Sequence, residues 1–291
     1  PVGNVADMNN KGFEIELGYN NTWNEFTFSA NGNFSYLKNE VTYVNSDADF
    51  IAGGASFQAM GPCTRIQVGQ SYNAFYGYKT DGIFQNWEQI NAYAKDGSLI
   101  QPDAVPGDFK WVDTNGDGSI TEDDKQFLGT SIPKYTFGLT LNAAYKGFDF
   151  MIFGQGAAGN KIFQGLRRLD IEYSNWQTVA LSRWTGEGTS NSYPRLTAHD
   201  DNGNFGKMSD FYLEKGDYMR IKLVQLGYTI KSDVLKKASI SKLRLYVQAE
   251  NLFTITGYTG YDTEIGGGVY GIDKGFYPQA RTFIGGLQLQ F

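Results

Sequence analysis

Apolar and polar residues alternate with a period of two along most of this chain. The run from Arg281 to Phe291 shows it plainly: one face is greasy, the other polar, and the last residue is aromatic. In a soluble sandwich such a strand faces a dry core. Repeated along a Gly- and aromatic-rich chain, the same alternation also describes a wall between lipid and water, a transmembrane β-barrel.

The alternation predicts nine strands. From Gly12 to Thr22, Phe13, Ile15, Leu17 and Tyr19 share a face opposite Glu14, Glu16, Gly18 and Asn20. After a short turn at Trp23-Asn24, the run from Glu25 to about Val44 sets Phe26, Phe28, Ala30, Gly32, Phe34 and Tyr36 against Thr27, Ser29, Asn31, Asn33 and Ser35. That run outlasts the roughly 9–11 residues that cross a bilayer with tilt, so its far end should stand clear of the lipid. A Gly- and Asp-bearing loop near 45–62 leads to two shorter strands, Thr64 to Gln70 and Phe75 to Gln85, joined at Ser71-Tyr72-Asn73. Residues 86–133 form a long excursion that opens with a short helix from Trp87 to Lys95. Strand periodicity returns in Tyr135, Phe137, Leu139, Leu141, Ala143 and Tyr145, and Lys146-Gly147 makes a two-residue hairpin into Phe148, Phe150 and Ile152.

A second excursion, 158–214, is too long for a connector and carries Arg167, Arg168, Tyr173, Trp176, Arg183, Trp184, Tyr193 and His199. Between Tyr218 and Ile230 the apolar phase changes, and a bulge near Leu223-Val224 reconciles the two halves. Leu243, Leu245, Val247 and Ala249 form the next apolar face, and a Gly-rich loop from about 256 to 278 precedes the final strand. Short turns alternating with long loops give an antiparallel up-and-down pattern. With Phe291 on the periplasmic side, the turns at Trp23-Asn24, Tyr72 and Lys146-Gly147 share that side and the long loops are extracellular. Bacterial barrels have even strand counts. Nine strands therefore need others, expected before Pro1, and the lack of an initiator Met or leader marks the chain as a piece of something longer.

Composition removes several classes. The 291 residues include 36 Gly, 19 Tyr, 21 Phe and 5 Trp and hold no apolar run long enough for a membrane helix. A net charge of −6 argues against nucleic acid as a partner. Cys63 is the single cysteine, so no internal disulfide forms.

The sharpest local chemistry is Asp113-Thr114-Asn115-Gly116-Asp117-Gly118-Ser119-Ile120-Thr121-Glu122-Asp123-Asp124. It follows an EF-hand loop: oxygen-bearing side chains of Asp113, Asn115 and Asp117, Gly118, a backbone oxygen from Ser119, an apolar Ile120 and an acid at Asp124. Hard oxygens at these offsets suit Ca²⁺. The shorter reach of Asp124, where Glu is usual, weakens bidentate binding or favours Mg²⁺. The alternative is a solvated acidic turn. Enzymatic constellations are weak: His199 lies in a polar loop stretch, Cys63 lacks a protease signature, Gly266-Gly267-Gly268 lacks the helix and Lys of a P-loop, and Glu122 and Asp123 are neighbours in one loop. Loop aromatics, foremost Trp87, Trp176, Trp184, Tyr193 and Tyr261, with Tyr93, Tyr258 and Tyr270, are candidates for stacking on a solute or for packing the loops together.

Several motifs occur in one order: Gly77-Tyr78 with Asp81-Gly82-Ile83-Phe84, Pro106-Gly107-Asp108, the acidic run from Asp113, Tyr193-Pro194-Arg195, Tyr218-Met219-Arg220-Ile221-Lys222 with Leu226-Gly227-Tyr228, and Asn251-Leu252-Phe253-Thr254 with Gly260-Tyr261-Asp262. Together with Phe291 the set resembles the carboxyl-terminal part of SusC/RagA-type TonB-dependent outer-membrane transporters, from roughly Gly12 onward. The resemblance implies an all-β fold: about the last nine strands of a roughly 22-stranded barrel, in a Gram-negative, Bacteroidetes-like outer membrane. It also implies an amino-terminal plug and a TonB-coupling segment outside these residues, a SusD-like surface lipoprotein as lid, and import of an oligosaccharide or a peptide, without enzymatic turnover. Two other classes stay open at this level. One is a secreted or surface calcium-stabilised β-rich module that binds glycans or mediates adhesion. The other is a β-rich carbohydrate-active enzyme with two convergent carboxylates.

Overall fold

The computed structural model describes residues 5–169, 174–230, 235, 239–264 and 270–291. Pro1, Tyr173 and the Gly266-Gly267-Gly268 run lie outside the described residues. Seven strands form one antiparallel sheet in which neighbours in sequence are neighbours in space: Ala6–Trp23, Phe26–Val44, Tyr135–Tyr145, Phe148–Ala158, Tyr218–Ile230, Lys242–Thr256 and Thr282–Gln290. They are the first to seventh wall strands below. Among the described residues the outer edges of the first and the seventh have no neighbour.

Register carries one apolar face across the whole wall. Phe13 lies opposite Tyr36, Leu17 opposite Gly32, Tyr36 opposite Tyr135, Tyr145 opposite Phe148, Phe148 opposite Tyr228, Tyr228 opposite Leu245, and Leu245 opposite Leu287. This face is not buried: Leu17 is 72%, Leu139 46% and Leu287 59% exposed. Of the nine expected strands, Thr64–Gln67 and Ala74–Gly77 are strands but stand outside the wall. They pair in a separate four-stranded sheet with Phe50–Ala52 and Gln126–Gly129. At four residues each they fall well short of a bilayer crossing, and period-two patterning does not reveal that difference. The Tyr72 turn therefore sits at the long-loop rim, not with the short turns. Its backbone N–H donates to Asn39 Oδ1 at 2.7 Å, far along the second wall strand.

The other turns fall where the pattern put them. Lys146 and Gly147 both adopt positive φ, 47° and 92°, the backbone that a twisted two-residue hairpin requires. In the fifth wall strand the register slips between Ile221 and Leu223, so the bulge absorbs Lys222, close to the expected Leu223-Val224. The phase change follows from this extra residue. On the inner face polar side chains pair across strands: Asn142 Nδ2 to Ser29 Oγ at 3.2 Å, Gln225 Nε2 to Gln248 Oε1 at 2.7 Å, and Arg244 Nε to Asp149 Oδ2 at 2.9 Å. Gly227 lies beneath that last pair, and a Cβ there would meet the Arg244 and Asp149 side chains at 2.5 Å.

The buried core is in the loops. Ala55, Phe57, Cys63, Phe75, Phe163, Met208, Tyr212, Leu213 and Ile272 form one cluster, drawn from all three long connections. Tyr78, Ile83, Phe109 and Trp111 form another, and Trp111 is wholly buried. The three connections thus fold into a packed body over one rim. Its helix runs Trp87–Ala92, shorter than the expected Trp87–Lys95, because Ala94–Lys95 turns back to pair with Ser98–Leu99. The Asn86 side chain caps it by accepting from Gln89 N.

Candidate functional site

The ordered motifs meet in space, and what joins them is buried charge. Asp108, from Pro106-Gly107-Asp108, is fully buried and accepts from Arg195 Nε at 2.6 Å, Asn204 Nδ2 at 2.8 Å and Val105 N at 3.0 Å. Arg195 belongs to Tyr193-Pro194-Arg195, so the two excursions are pinned together there. Arg220, 5% exposed on the inner face of the fifth wall strand, gathers three more motifs. It donates to Thr254 Oγ1, Asp262 Oδ1 and Glu264 Oε2, each at 2.6 Å, while Lys222 Nζ reaches Glu264 at 3.1 Å. Burial works against the charge on Asp262. Hydrogen bonds from Arg220 and from the Gln279 and Glu264 N–H groups outweigh it and hold the carboxyl below its ordinary range. Gly77-Tyr78 packs backbone to backbone: Tyr78 N donates to Met208 O at 2.8 Å, and a Cβ on Gly77 would lie 2.4 Å from that oxygen. The sequence alone does not show that the Arg and Asp residues of these motifs are partners. The signal was present as charged residues set inside otherwise apolar or Gly-bearing motifs.

In the acidic loop, side-chain oxygens are turned on the backbone. Asp113 Oδ1 accepts from Gly116 N at 2.7 Å and Asp113 Oδ2 from Gly118 N at 2.9 Å. Asn115 Nδ2 donates to Asp117 Oδ2 at 2.9 Å, and Asp117 Oδ1 accepts from the Ser119 hydroxyl at 2.8 Å. Those bonds from Ser119 and Asn115 hold the Asp117 carboxyl below its usual range. Asp124 is fully buried, with Oδ1 accepting from Thr114 N and Oδ2 from Thr121 N, both at 2.7 Å. Lys95 donates to the Gly116 carbonyl. Among the described residues, no three His, Cys, Asp or Glu side chains gather as a metal cluster. The side-chain oxygens of Asp113, Asn115 and Asp117 thus accept from N–H groups of this one turn, and Asp124 joins its two ends.

The five singled-out aromatics have different fates. Trp87 is 57% and Tyr261 65% exposed on the outer body. Trp184 is half-buried, with Nε1 donating to Gln85 Oε1 at 3.2 Å beside a cavity that Lys110, Tyr93 and Asn191 also line. Tyr193 is buried, and burial pushes its hydroxyl up to about 12. Trp176 packs edge-on against Phe205 at 5.0 Å. Tyr193 and Trp176 line a single pocket; the remaining three do not join it.

The residues weighed for catalysis are placed apart. His199 is exposed, in a turn where its N–H donates to Thr197 Oγ1 at 3.1 Å. Cys63 is wholly buried in the loop core, where burial pushes its thiol up to about 11. Glu122 accepts from Lys125 and from the Tyr78 hydroxyl, and the Lys125 bond holds its carboxyl low. This is the setting of structural groups.

No family model matches the chain. It is 28% identical over 302 residues to the TonB-dependent receptor P3 of Formosa agariphila, an alignment covering 100% of this chain and 29% of the relative. To the TonB-dependent receptor SusC of Bacteroides thetaiotaomicron it is 27% identical over 298 residues, covering 99% of this chain and 27% of the relative. Among solved structures, the RagAB peptide transporter superposes with a TM-score of 0.75 at 22% identity, over 99% of this chain and 30% of that one. The chain spans less than a third of the length of each. Along nearly its whole length the chain is similar to TonB-dependent receptors, SusC among them, and it shares the fold of the matching part of the RagAB peptide transporter.

Proposed function

We propose that these residues are part of the wall and the outer mouth of an outer-membrane importer. One observation carries the reading: the exposed face of the wall is banded. Trp23, Phe26, Tyr145, Phe148 and Tyr228 cluster near the short turns, with Trp23 stacked on Phe26 at 5.9 Å and Phe148 tilted against Tyr228 at 4.5 Å. Phe13, Phe34, Tyr36 and Tyr135 form a second belt, with centroid separations of 5.5–6.1 Å. Between them lie Ile15, Leu17, Ala30, Gly32, Leu139 and Leu141. From Trp23 to Phe13 is ten residues, about 34 Å of strand at roughly 3.4 Å per residue. A tilt of about 40° reduces this to about 26 Å, the height of the lipid-facing band of such barrels. A soluble adhesion module would leave that band uncovered.

On this reading the polar inner face and the outer body line the solute path. The whole protein takes up an oligosaccharide or oligopeptide, is driven through TonB by a segment beyond these residues, and is covered by a SusD-like lipoprotein. The loop 113–124 holds one Ca²⁺ or Mg²⁺ on the side-chain oxygens of Asp113, Asn115 and Asp117 and the Ser119 carbonyl, with Asp124 bracing the turn; the all-oxygen donor set supports this. The cation would stiffen the outer body and take no part in chemistry. Uptake of labelled oligosaccharides and oligopeptides by cells with and without the full-length gene, with and without a protonophore, tests the reading. Uptake that is gene-dependent and abolished by the protonophore is expected. Uptake indifferent to the gene refutes it.

A further inference from the structure

The second long connection encloses a pocket that none of the buried ion pairs uses. It is a cavity of about 240 Å³ walled chiefly by Arg167, Trp176, Tyr193, Phe205, Tyr212 and Glu214. The Arg167 guanidinium carbon lies over Trp176, 3.6 Å from the ring centroid, a contact in which the ring steadies the cation without using its hydrogen-bond donors. Arg167 Nε is shielded from water and has no hydrogen-bond partner, and among the described residues no carboxylate pairs with this side chain. Burial accordingly lowers its hold on the proton, the reverse of what an adjacent carboxylate does.

Glu214 does not fill that role, because its oxygens are already taken. Oε2 accepts from Thr259 N at 2.7 Å, and Oε1 accepts from the Thr259 hydroxyl at 2.6 Å and from Gln164 Nε2 at 3.4 Å. Tyr212 spends its hydroxyl on Phe205 O at 2.8 Å. Tyr193, shifted up to about 12, stays neutral and offers a proton rather than a charge. The pocket therefore holds, among aromatic rings, an arginine that no carboxylate pairs with among the described residues, and a Glu214 whose oxygens are held by Thr259 and Gln164. An unpaired group of this kind is costly unless something binds it.

We infer that this pocket binds a carboxylate-bearing unit of the solute, its carboxylate on Arg167 and its apolar or ring face on Trp176 and Phe205. A planar fork on one side and flat rings on the other match a planar anion joined to a hydrophobic or ring-shaped body. A neutral sugar would leave the arginine unanswered. The volume is below the roughly 300–1,000 Å³ of drug-sized sites, so one residue or one sugar ring enters, not an oligomer. The end of a peptide and a uronic acid share this chemistry. The inference deepens the import reading and rests on it only in naming the occupant a passing solute.

The test uses the full-length protein purified in detergent and binding measured by calorimetry, without energy or transport. Its failure is thus separate from a failure of uptake. The probes are N-acetylphenylalanine and its amide, glucuronate and glucose, and inorganic phosphate. At least one carboxylate should bind roughly tenfold or more tighter than its neutral counterpart, the least that a hydrogen-bonded charge contributes. A preference confined to the amino-acid pair assigns a peptide end, and one confined to the sugar pair assigns a uronic acid. R167Q should abolish the preference, and W176L should weaken acid and neutral probe together. If R167Q does not fold, R167K serves instead: it keeps the charge, loses the fork, and should cut the preference several-fold. Acid and neutral probes binding within twofold of each other, no binding of any carboxylate, phosphate binding tighter than both acids, or a preference that survives in folded R167Q and R167K would each overturn the assignment.

Discussion

Replacing Arg220 by Met removes the hub that ties the segment after Thr256 to the inner wall. Arg220 and Asp262 are almost wholly enclosed, with side chains 6% and 2% exposed, and truncating one member of a buried pair generally costs about 3–5 kcal/mol. The lower end applies here. Asp262 keeps the Gln279 and Glu264 N–H groups, and Glu264 keeps Lys222. About 3 kcal/mol corresponds to an opening equilibrium roughly 150-fold larger for that segment alone, because local openings draw on local contacts. Hydrogen exchange of the full-length protein is the assay. Amides at 257–264 and 270–281 should lose protection by about two orders of magnitude, while those of the third and fourth wall strands hold. A change below roughly fivefold, or one spread evenly across the wall, would refute the hub argument.

Acid should act on the same hub. The Asp262 carboxyl is depressed in the folded state, so its contribution is complete above its unfolded value of about 3.9 and fades as pH falls through the folded value; exchange at 257–264 should rise only in that lower window. Gly227→Leu drives a side chain into the Arg244–Asp149 pair and should lower the temperature at which the barrel loses its compact gel mobility. Phe57→Ala opens a void in the loop core and should cost about 3–5 kcal/mol, read as faster proteolysis of the outer body with the wall strands still protected. Leu139→Arg, on the exposed apolar face between the two aromatic belts, should impair membrane assembly by about 2–4 kcal/mol, seen as a lower yield of folded barrel in vesicles. Asp117→Ala or a chelator should speed cleavage within 106–127, and indifference to both would leave the loop a self-bonded turn.

The wall was legible because each of its strands is long and two-sided, and a period of two survives even the Lys222 bulge. Thr64–Gln67 and Ala74–Gly77 misled because alternation marks a strand and not the sheet it joins; only length told them apart. The self-bonded turn of the acidic loop follows from oxygen-bearing residues that alternate within one short run, Asp113, Asn115 and Asp117. Asp108 with Arg195 and Arg220 with Asp262 were not, since 87 and 42 residues separate the partners. Loop aromatics illustrate the same limit. Trp87 is exposed and Tyr193 is buried, although both follow a polar pair, Gln85-Asn86 and Asn191-Ser192. What decides burial there is packing between connections far apart in the chain.

Every inner strand of the wall sheet shares its backbone ladder with a neighbour on each side, and that constrains how such a sheet can enter a membrane. A row of unanswered backbone amides and carbonyls is tolerable in water and prohibitive in hydrocarbon. Strands of this kind therefore cannot enter the bilayer singly; each needs the neighbours with which its ladder is shared. The outer body faces no such constraint, for its rings shield one another in water. Pairing of the wall strands is thus a concerted matter, and packing of the outer body an ordinary collapse beside it.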